Sequence, residues 1–260
     1  MNEQRFHKEI EHRYGKNCHI LDDPYMLSLL AELCMPQTRQ PRLNHLLRVL
    51  YEGLLRAVIN NEFPRKMRTV TTRMGAEYRG ELIDPSTEVV TVDIARAGIM
   101  PSMVCFEVLS SLLDPKLVRQ DHIIMQRTTD AHGSVTGATI SGTKVGGTIA
   151  SKIVLFPDPM GATGSSLCEV LKFYRENAVG KPKKVITLNL IITPEFVRKV
   201  FREEPDVIIY AYRVDRGLSP PDVLAKVPGE EWDRERGLND HDYIIPGAGG
   251  LGEVLNNAEV

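Results

Sequence analysis

Residues 158–166 read Asp-Pro-Met-Gly-Ala-Thr-Gly-Ser-Ser. A carboxylate, Asp158, is followed through Pro159 and Met160 by Gly161, Ala162, Thr163, Gly164, Ser165 and Ser166, all small. Backbone N–H groups of such a loop converge on an anion when a helix starts at its end, and the helix dipole favours negative charge there. Side chains larger than these would block the approach. The loop has no lysine at the place required by G-x-x-x-x-G-K-[ST], so a nucleoside-triphosphate cradle is not expected. A carboxylate at this position accepts hydrogen bonds from sugar hydroxyls beside a phosphate. Acid, small-residue loop and helix start together describe a ribose 5-phosphate site, with an ordinary strand-to-helix turn as the alternative.

Two further segments have chemistry of the same kind. Arg96 is followed by Ala97 and Gly98, and a guanidinium beside small residues suits the bidentate, charge-assisted bonds that a diphosphate offers. Tyr243 to Glu253 reads Tyr-Ile-Ile-Pro-Gly-Ala-Gly-Gly-Leu-Gly-Glu. Its glycines let backbone come within hydrogen-bonding reach of a planar ligand. Gly247, Gly249 and Gly252 also spell a dinucleotide fingerprint, but no βαβ unit surrounds them and no acid lies ~20 residues on, so a nicotinamide cofactor is not expected.

These segments need strands that end at one edge of a sheet. Apolar, β-branched runs predict strands over 88–94, 121–126, 152–156, 184–192 and 206–212. Helical spacing predicts helices over 22–35, 41–60, 100–113, 165–178 and 194–204. The alternation is that of an α/β fold, a doubly wound, mostly parallel sheet flanked by helices. Ligands of such sheets collect at the carboxyl ends of the strands, where Arg96 and Asp158 fall. One domain over 1–260 is expected, with a helical arm at 1–65, a core at 88–212 and a hood at 213–260. The Gly/Thr-rich stretch 130–150 reads as a hairpin or hood loop, and 219–238 as a Pro- and charge-rich insertion.

Net charge is −2, which gives no reason to expect nucleic acid as a partner. No run approaches the ~18 apolar residues of a membrane span, and the first residues are too polar for a signal peptide. The cysteines, Cys18, Cys34, Cys105 and Cys168, lack C-x-x-C spacing and read as thiols rather than zinc ligands. A cytoplasmic protein is expected. The apolar stripes of helices 22–35 and 41–60 suggest a surface that a homodimer would bury.

The segment Asp158 to Ser166 resembles the phosphoribosyltransferases of the type I fold. Its form Asp-Pro-Met-x-Ala-Thr-Gly-x-Ser is similar to the uracil phosphoribosyltransferase family in particular. Arg96-Ala97-Gly98 resembles that family's pyrophosphate loop, and Tyr243 to Gly252 its uracil loop. The resemblance implies transfer of phosphoribose from 5-phosphoribosyl 1-diphosphate to uracil, with Mg2+ as cofactor. It implies that Asp158 orients the ribose, that Arg96 and Arg127 face the pyrophosphate, and that Pro159 to Ser166 hold the 5-phosphate. Ile244, Gly249, Gly250 and Leu251 would contact the base, Gly250 also facing the phosphoribosyl group.

The chain departs from the family pattern on the base side. The family carries Asp where this chain has Gly250, a small residue where it has Leu251, and Leu where it has Gly161. The resemblance therefore leaves open a non-catalytic phosphoribosyl-binding homologue or a transferase for another base. If the missing acid weakens Mg2+-dependent turnover, Gly250→Asp would raise it. Alternatively the insertion folds over the site and supplies Glu230, Glu231 or Asp233.

Overall fold

A computed structural model describes residues 7–129, 135–177 and 180–258, with backbone alone for 127–129 and 135–138. The chain begins with β1 (Cys18–Ile20), α1 (Pro24–Leu33) and α2 (Arg42–Glu62). A ribbon of β2 (Arg65–Thr71) and β3 (Glu77–Ile83) follows. Then come β4 (Val89–Ala95), α3 (Ile99–Leu112), β5 (Val118–Thr129) and β6 (Val135–Lys144). Next are β7 (Ile153–Pro157), β8 (Met160–Gly161), α4 (Ser165–Asn177), β9 (Lys184–Ile192) and α5 (Pro194–Glu203). The path closes with β10 (Ile208–Val214) and the short helices α6 (Pro221–Leu224) and α7 (Leu251–Leu255).

The sheet runs β1-β10-β9-β7-β4-β5-β6, with β8 also pairing with β9. All these pairs are parallel except β5 with β6. β4 and β7 are buried on both faces because both faces are covered, β7 being apolar throughout and β4 carrying Thr91 and Asp93 among its apolar residues. On one face, side chains of β4, β7, β9 and β10 meet α1, α2 and α3; on the other, alternate side chains meet α4 and α5. Asp23 caps α1, its carboxylate accepting from Met26 N–H at 3.2 Å, with Pro24 at the first helical position.

β4 leads through α3 to β5 on one side, whereas β7 leads through α4 to β9 on the other. The strand order therefore reverses between β4 and β7. Their carboxyl-end loops diverge there and leave a crevice. Arg96 follows β4 and Asp158 follows β7, so both fall at this switch point.

The expected elements appear with shifted ends, and three regions differ in kind. Within the predicted arm at 1–65, α2 is part of the core: Leu46, Leu47, Leu50 and Leu54 are fully buried. The stripes that suggested a dimer surface are thus covered within the chain. On the β2–β3 ribbon, Met67, Val70, Met74 and Tyr78 face solvent, as do Ile99, Met103 and Leu112 of α3. The strand predicted at 121–126 runs from 118 to 129, and 135–144 pairs back on it as a hairpin. Of the Gly/Thr-rich stretch, 130–134 lies outside the described residues, as does position 178 of the predicted helix 165–178. Among the described residues no helix is long and apolar enough to cross a membrane.

Candidate active site

A cleft of about 520 Å³ opens at the switch point. It is lined by Arg96, Asp158, Met160, Ala162, Thr163, Gly164, Ser165 and Ser166 on the strand side, and by Tyr243, Ile244, Gly249, Gly250, Leu251 and Glu253 on the other. The three sequence segments therefore meet in one cavity. Pro159 and Gly161 support the loop from behind: Pro159 O accepts from Leu190 N–H at 3.0 Å, and Gly161 O from Thr193 N–H at 3.1 Å.

The small-residue loop is held in shape by β9 and α5. Thr193 Oγ1 donates to Ala162 O at 2.6 Å, and Thr163 Oγ1 accepts from Ser165 N–H at 3.2 Å. Gly164 has φ +80, a left-handed conformation that disfavours any Cβ, and a Cβ there would also lie 3.2 Å from Val200 Cγ2. A helix start leaves its first N–H groups without intrahelical partners; at α4 that of Ser165 is taken by Thr163 Oγ1, and Ser166 and Leu167, which follow, line the cleft. A Cβ at Gly161 would come 3.0 Å from Ile192 Cγ2 and 3.1 Å from the Phe196 ring, so the packing there leaves little room for a side chain.

Asp158 sits at the cleft floor. Its Oδ1 accepts from Met160 N–H at 3.3 Å, and its backbone carbonyl accepts from Asn189 Nδ2 at 2.6 Å. Burial pushes its carboxyl up from the ordinary 3.8 to about 6, against the opposing effect of the Met160 N–H. A buried carboxyl at the floor and a half-exposed cation, Arg96, at the rim give the cleft its polarity. The Ala95–Arg96 peptide is cis.

Arg96 Nη2 lies 3.6 Å from Glu253 Oε1. α7 turns back on itself, so that Glu253 Oε2 sits 2.6 Å from where a Cβ of residue 250 would be. Gly250 thus gives up the space, and the Glu253 carboxylate takes it. The Glu253 carboxylate therefore lies beside position 250, on the Arg96 side of the cleft.

The base-side loop is anchored by a pair that sequence reading missed. Arg213 and Asp215 form a bidentate ion pair at 2.6 and 2.9 Å at the end of β10. Asp215 Oδ2 accepts from Gly247 N–H at 2.7 Å, while Arg213 Nη2 donates to Gly247 O at 3.2 Å. Both sides of one peptide position are fixed. Gly247 has φ +59, and a Cβ there would lie 2.2 Å from Ile244 O, so no other residue fits. The available signal was Arg-x-Asp just past a strand, which is too common to act on alone. Ile244 and Leu251 are buried, and Gly249 is open.

The insertion lies away from the cleft. Glu231 pairs with Lys226 and Arg234, Asp233 O accepts from Arg236, and none of Glu230, Glu231 and Asp233 lines the cavity. Its stem instead braces the base loop: Ile245 N–H donates to Gly237 O at 2.8 Å and Gly217 N–H to Ile245 O at 3.0 Å. The backbone of Arg127 lies in β5 opposite Ala138, at the end facing the cleft loops; its side chain is outside the described residues.

The family described as uracil phosphoribosyltransferase matches residues 20–235. A curated uracil phosphoribosyltransferase of Thermoanaerobacter sp. (strain X514) is 35% identical over 107 residues, covering 41% of this chain and 40% of that protein. The match therefore spans under half the length of that relative. Uracil phosphoribosyltransferase 1 of Schizosaccharomyces pombe is 27% identical over 92% of this chain and 94% of its own. The solved structure of the AQ2163 protein from Aquifex aeolicus shares the fold, with TM-score 0.69 and 23% identity over 94% of this chain and 99% of that one.

Proposed function

The chain belongs to the uracil phosphoribosyltransferase family, and from that premise we infer that it transfers phosphoribose from 5-phosphoribosyl 1-diphosphate to uracil, giving UMP and pyrophosphate. The observation that carries this reading is a single cleft holding the acid, the phosphate cradle, the arginine and the base loop.

In this reading the cradle from Ala162 to Ser166 fixes the 5-phosphate and so sets C1 opposite the base, using binding energy remote from the reacting bond. Asp158 accepts hydrogen bonds from the ribose hydroxyls as C1 gains oxocarbenium character. Arg96 neutralises the departing pyrophosphate, exchanging Glu253 for the diphosphate oxygens. The C1–O bond to pyrophosphate breaks, a base nitrogen bonds to C1, and the proton lost from that nitrogen passes to solvent through the open mouth of the cleft. Ile244 and Leu251 pack the base edge while open backbone at Gly249 reads it.

Mg2+ is part of the proposal. Among the described residues no cluster of three His, Cys, Asp or Glu side chains forms a ready metal cage. The donors that face the cleft, Asp158 and Glu253, suit a hard cation that arrives on the diphosphate with most of its water shell. Bound there, Mg2+ would supply charge neutralisation for the leaving group. A homodimer is also proposed, supported by the exposed Met67, Val70, Met74 and Tyr78 of the β2–β3 ribbon, which as a two-stranded element needs a covering surface. The thiols are free, which suits the cytoplasm.

The test is pyrophosphate release from 5-phosphoribosyl 1-diphosphate with Mg2+ and a panel of bases. Release with uracil alone supports the reading. Release with a different base only would reassign the specificity, and binding without release would make the chain a phosphoribosyl-binding homologue.

A further inference from the structure

The phosphate cradle has no cation of its own. Residues 158–166 contain neither lysine nor arginine, and among the described residues the cleft lining includes Arg96 as its one arginine and no lysine. Behind the cradle, Lys199 of α5 donates to Ser165 Oγ at 3.0 Å. Its ammonium thus rests against the first residue of α4, at the end where the helix dipole is already positive. A cation there is repelled unless an anion shares the position. Glu203 Oε1 is 3.9 Å away and takes a closer bond, at 3.2 Å, from Arg202.

The hydroxyl protons lead to the same place. Thr163 Oγ1 and Ser165 Oγ are 3.1 Å apart, so one hydroxyl proton lies between them. Among the described residues nothing accepts the other. With Lys199 donating to Ser165 Oγ, a free hydroxyl proton is left for the cleft that Thr163 and Ser165 line.

We propose that Lys199 is a positioning residue of the 5-phosphate site: it polarises the Thr163–Ser165 hydroxyl pair into a charge-assisted donor and supplies the cradle's positive charge from behind. The inference rests on the phosphoribosyl reading of the cleft. It fits a phosphomonoester dianion, whose charge adds to that of Glu203, 3.9 Å from the ammonium, in balancing the helix end and Lys199.

Calorimetry of UMP and of uridine against folded wild-type protein, Lys199→Met, Lys199→Arg, Ser165→Ala and the double variant tests it. Lys199→Met should weaken UMP about tenfold while uridine changes less than about twofold, the scale of one charge-assisted bond. Lys199→Arg should recover most of the loss. In the Ser165→Ala background, Lys199→Met should cost less than about twofold, because the relay is already broken. The KM for 5-phosphoribosyl 1-diphosphate should rise in Lys199→Met while kcat holds. Unchanged UMP affinity, equal losses for UMP and uridine, or fully additive losses with Ser165→Ala would each overturn the proposal. Should Lys199→Met fail to fold, Lys199→Gln carries the same comparison. Wild-type protein that binds no UMP would overturn the phosphoribosyl reading itself, whereas wild-type binding indifferent to residue 199 would overturn this inference alone.

Discussion

Asp158 works under opposed demands. Its role toward ribose hydroxyls needs the carboxylate, yet burial raises its pKa to about 6. A raised carboxyl pKa favours the folded state below the unfolded value, 3.8, and that contribution is lost as pH rises through about 6. Activity runs the other way, falling as pH drops below about 6 and the carboxyl takes up its proton. Asp158→Asn should therefore raise the melting temperature at pH 7–8 while removing turnover, which differential scanning calorimetry and a pyrophosphate assay would show together. Arg96 makes a separate prediction. Arg96→Ala should weaken the diphosphate-bearing substrate by about 1.5–3 kcal/mol, the value of a charge-assisted bond, and weaken UMP far less. Equal losses in a titration of both would mean that Arg96 supports the fold or the 5-phosphate instead.

At the level of elements, α7 decides what an acid at position 250 would meet. An aspartate at 250 would start from a Cβ only 2.6 Å from Glu253 Oε2, placing two carboxylates in one space. The family pattern alone led to the expectation that Gly250→Asp raises turnover; the geometry predicts that it lowers kcat/KM, and that adding Glu253→Gln restores part of it. Steady-state kinetics of the single and double variants would separate the two. This shows where sequence reading stops. β4, β7 and β9 were legible because strands buried on both faces are mostly apolar and β-branched, and the acid-plus-small-residue loop because its backbone geometry restricts side-chain size. The β2–β3 ribbon left only a trace of β character, since its side chains are mostly exposed on both faces and show no alternation. Glu253 beside Gly250, Lys199 beside Ser165 and Asp215 beside Gly247 depend on turns or on partners 32 and 34 positions away. A residue type does not encode such pairings.

Across the whole molecule, the insertion ties residues far apart in sequence. Tyr14 Oη donates to Glu235 at 2.6 Å, and Glu235, fully buried, also accepts from Arg216 at 2.7 Å and from Gly229 N–H at 2.8 Å. Trp232 packs edge-on against Tyr14 and donates to Pro194 O. Tyr14→Phe should cost about 1–2 kcal/mol in urea unfolding, one buried hydrogen bond to a charged group. Glu235→Ala should cost more, about 3–5 kcal/mol, because Arg216 is left buried without its counter-charge. In Glu235→Ala, hydrogen exchange should also quicken at 243–252, since Gly217 next to Arg216 holds Ile245. The clasp joins positions 221 apart in the chain. During synthesis, then, β1 and the segment around Tyr14 leave the ribosome long before β10 and Glu235 exist to receive them. The sheet's β1 edge stays unfinished, open to proteases and to other nascent strands, until translation has passed the insertion.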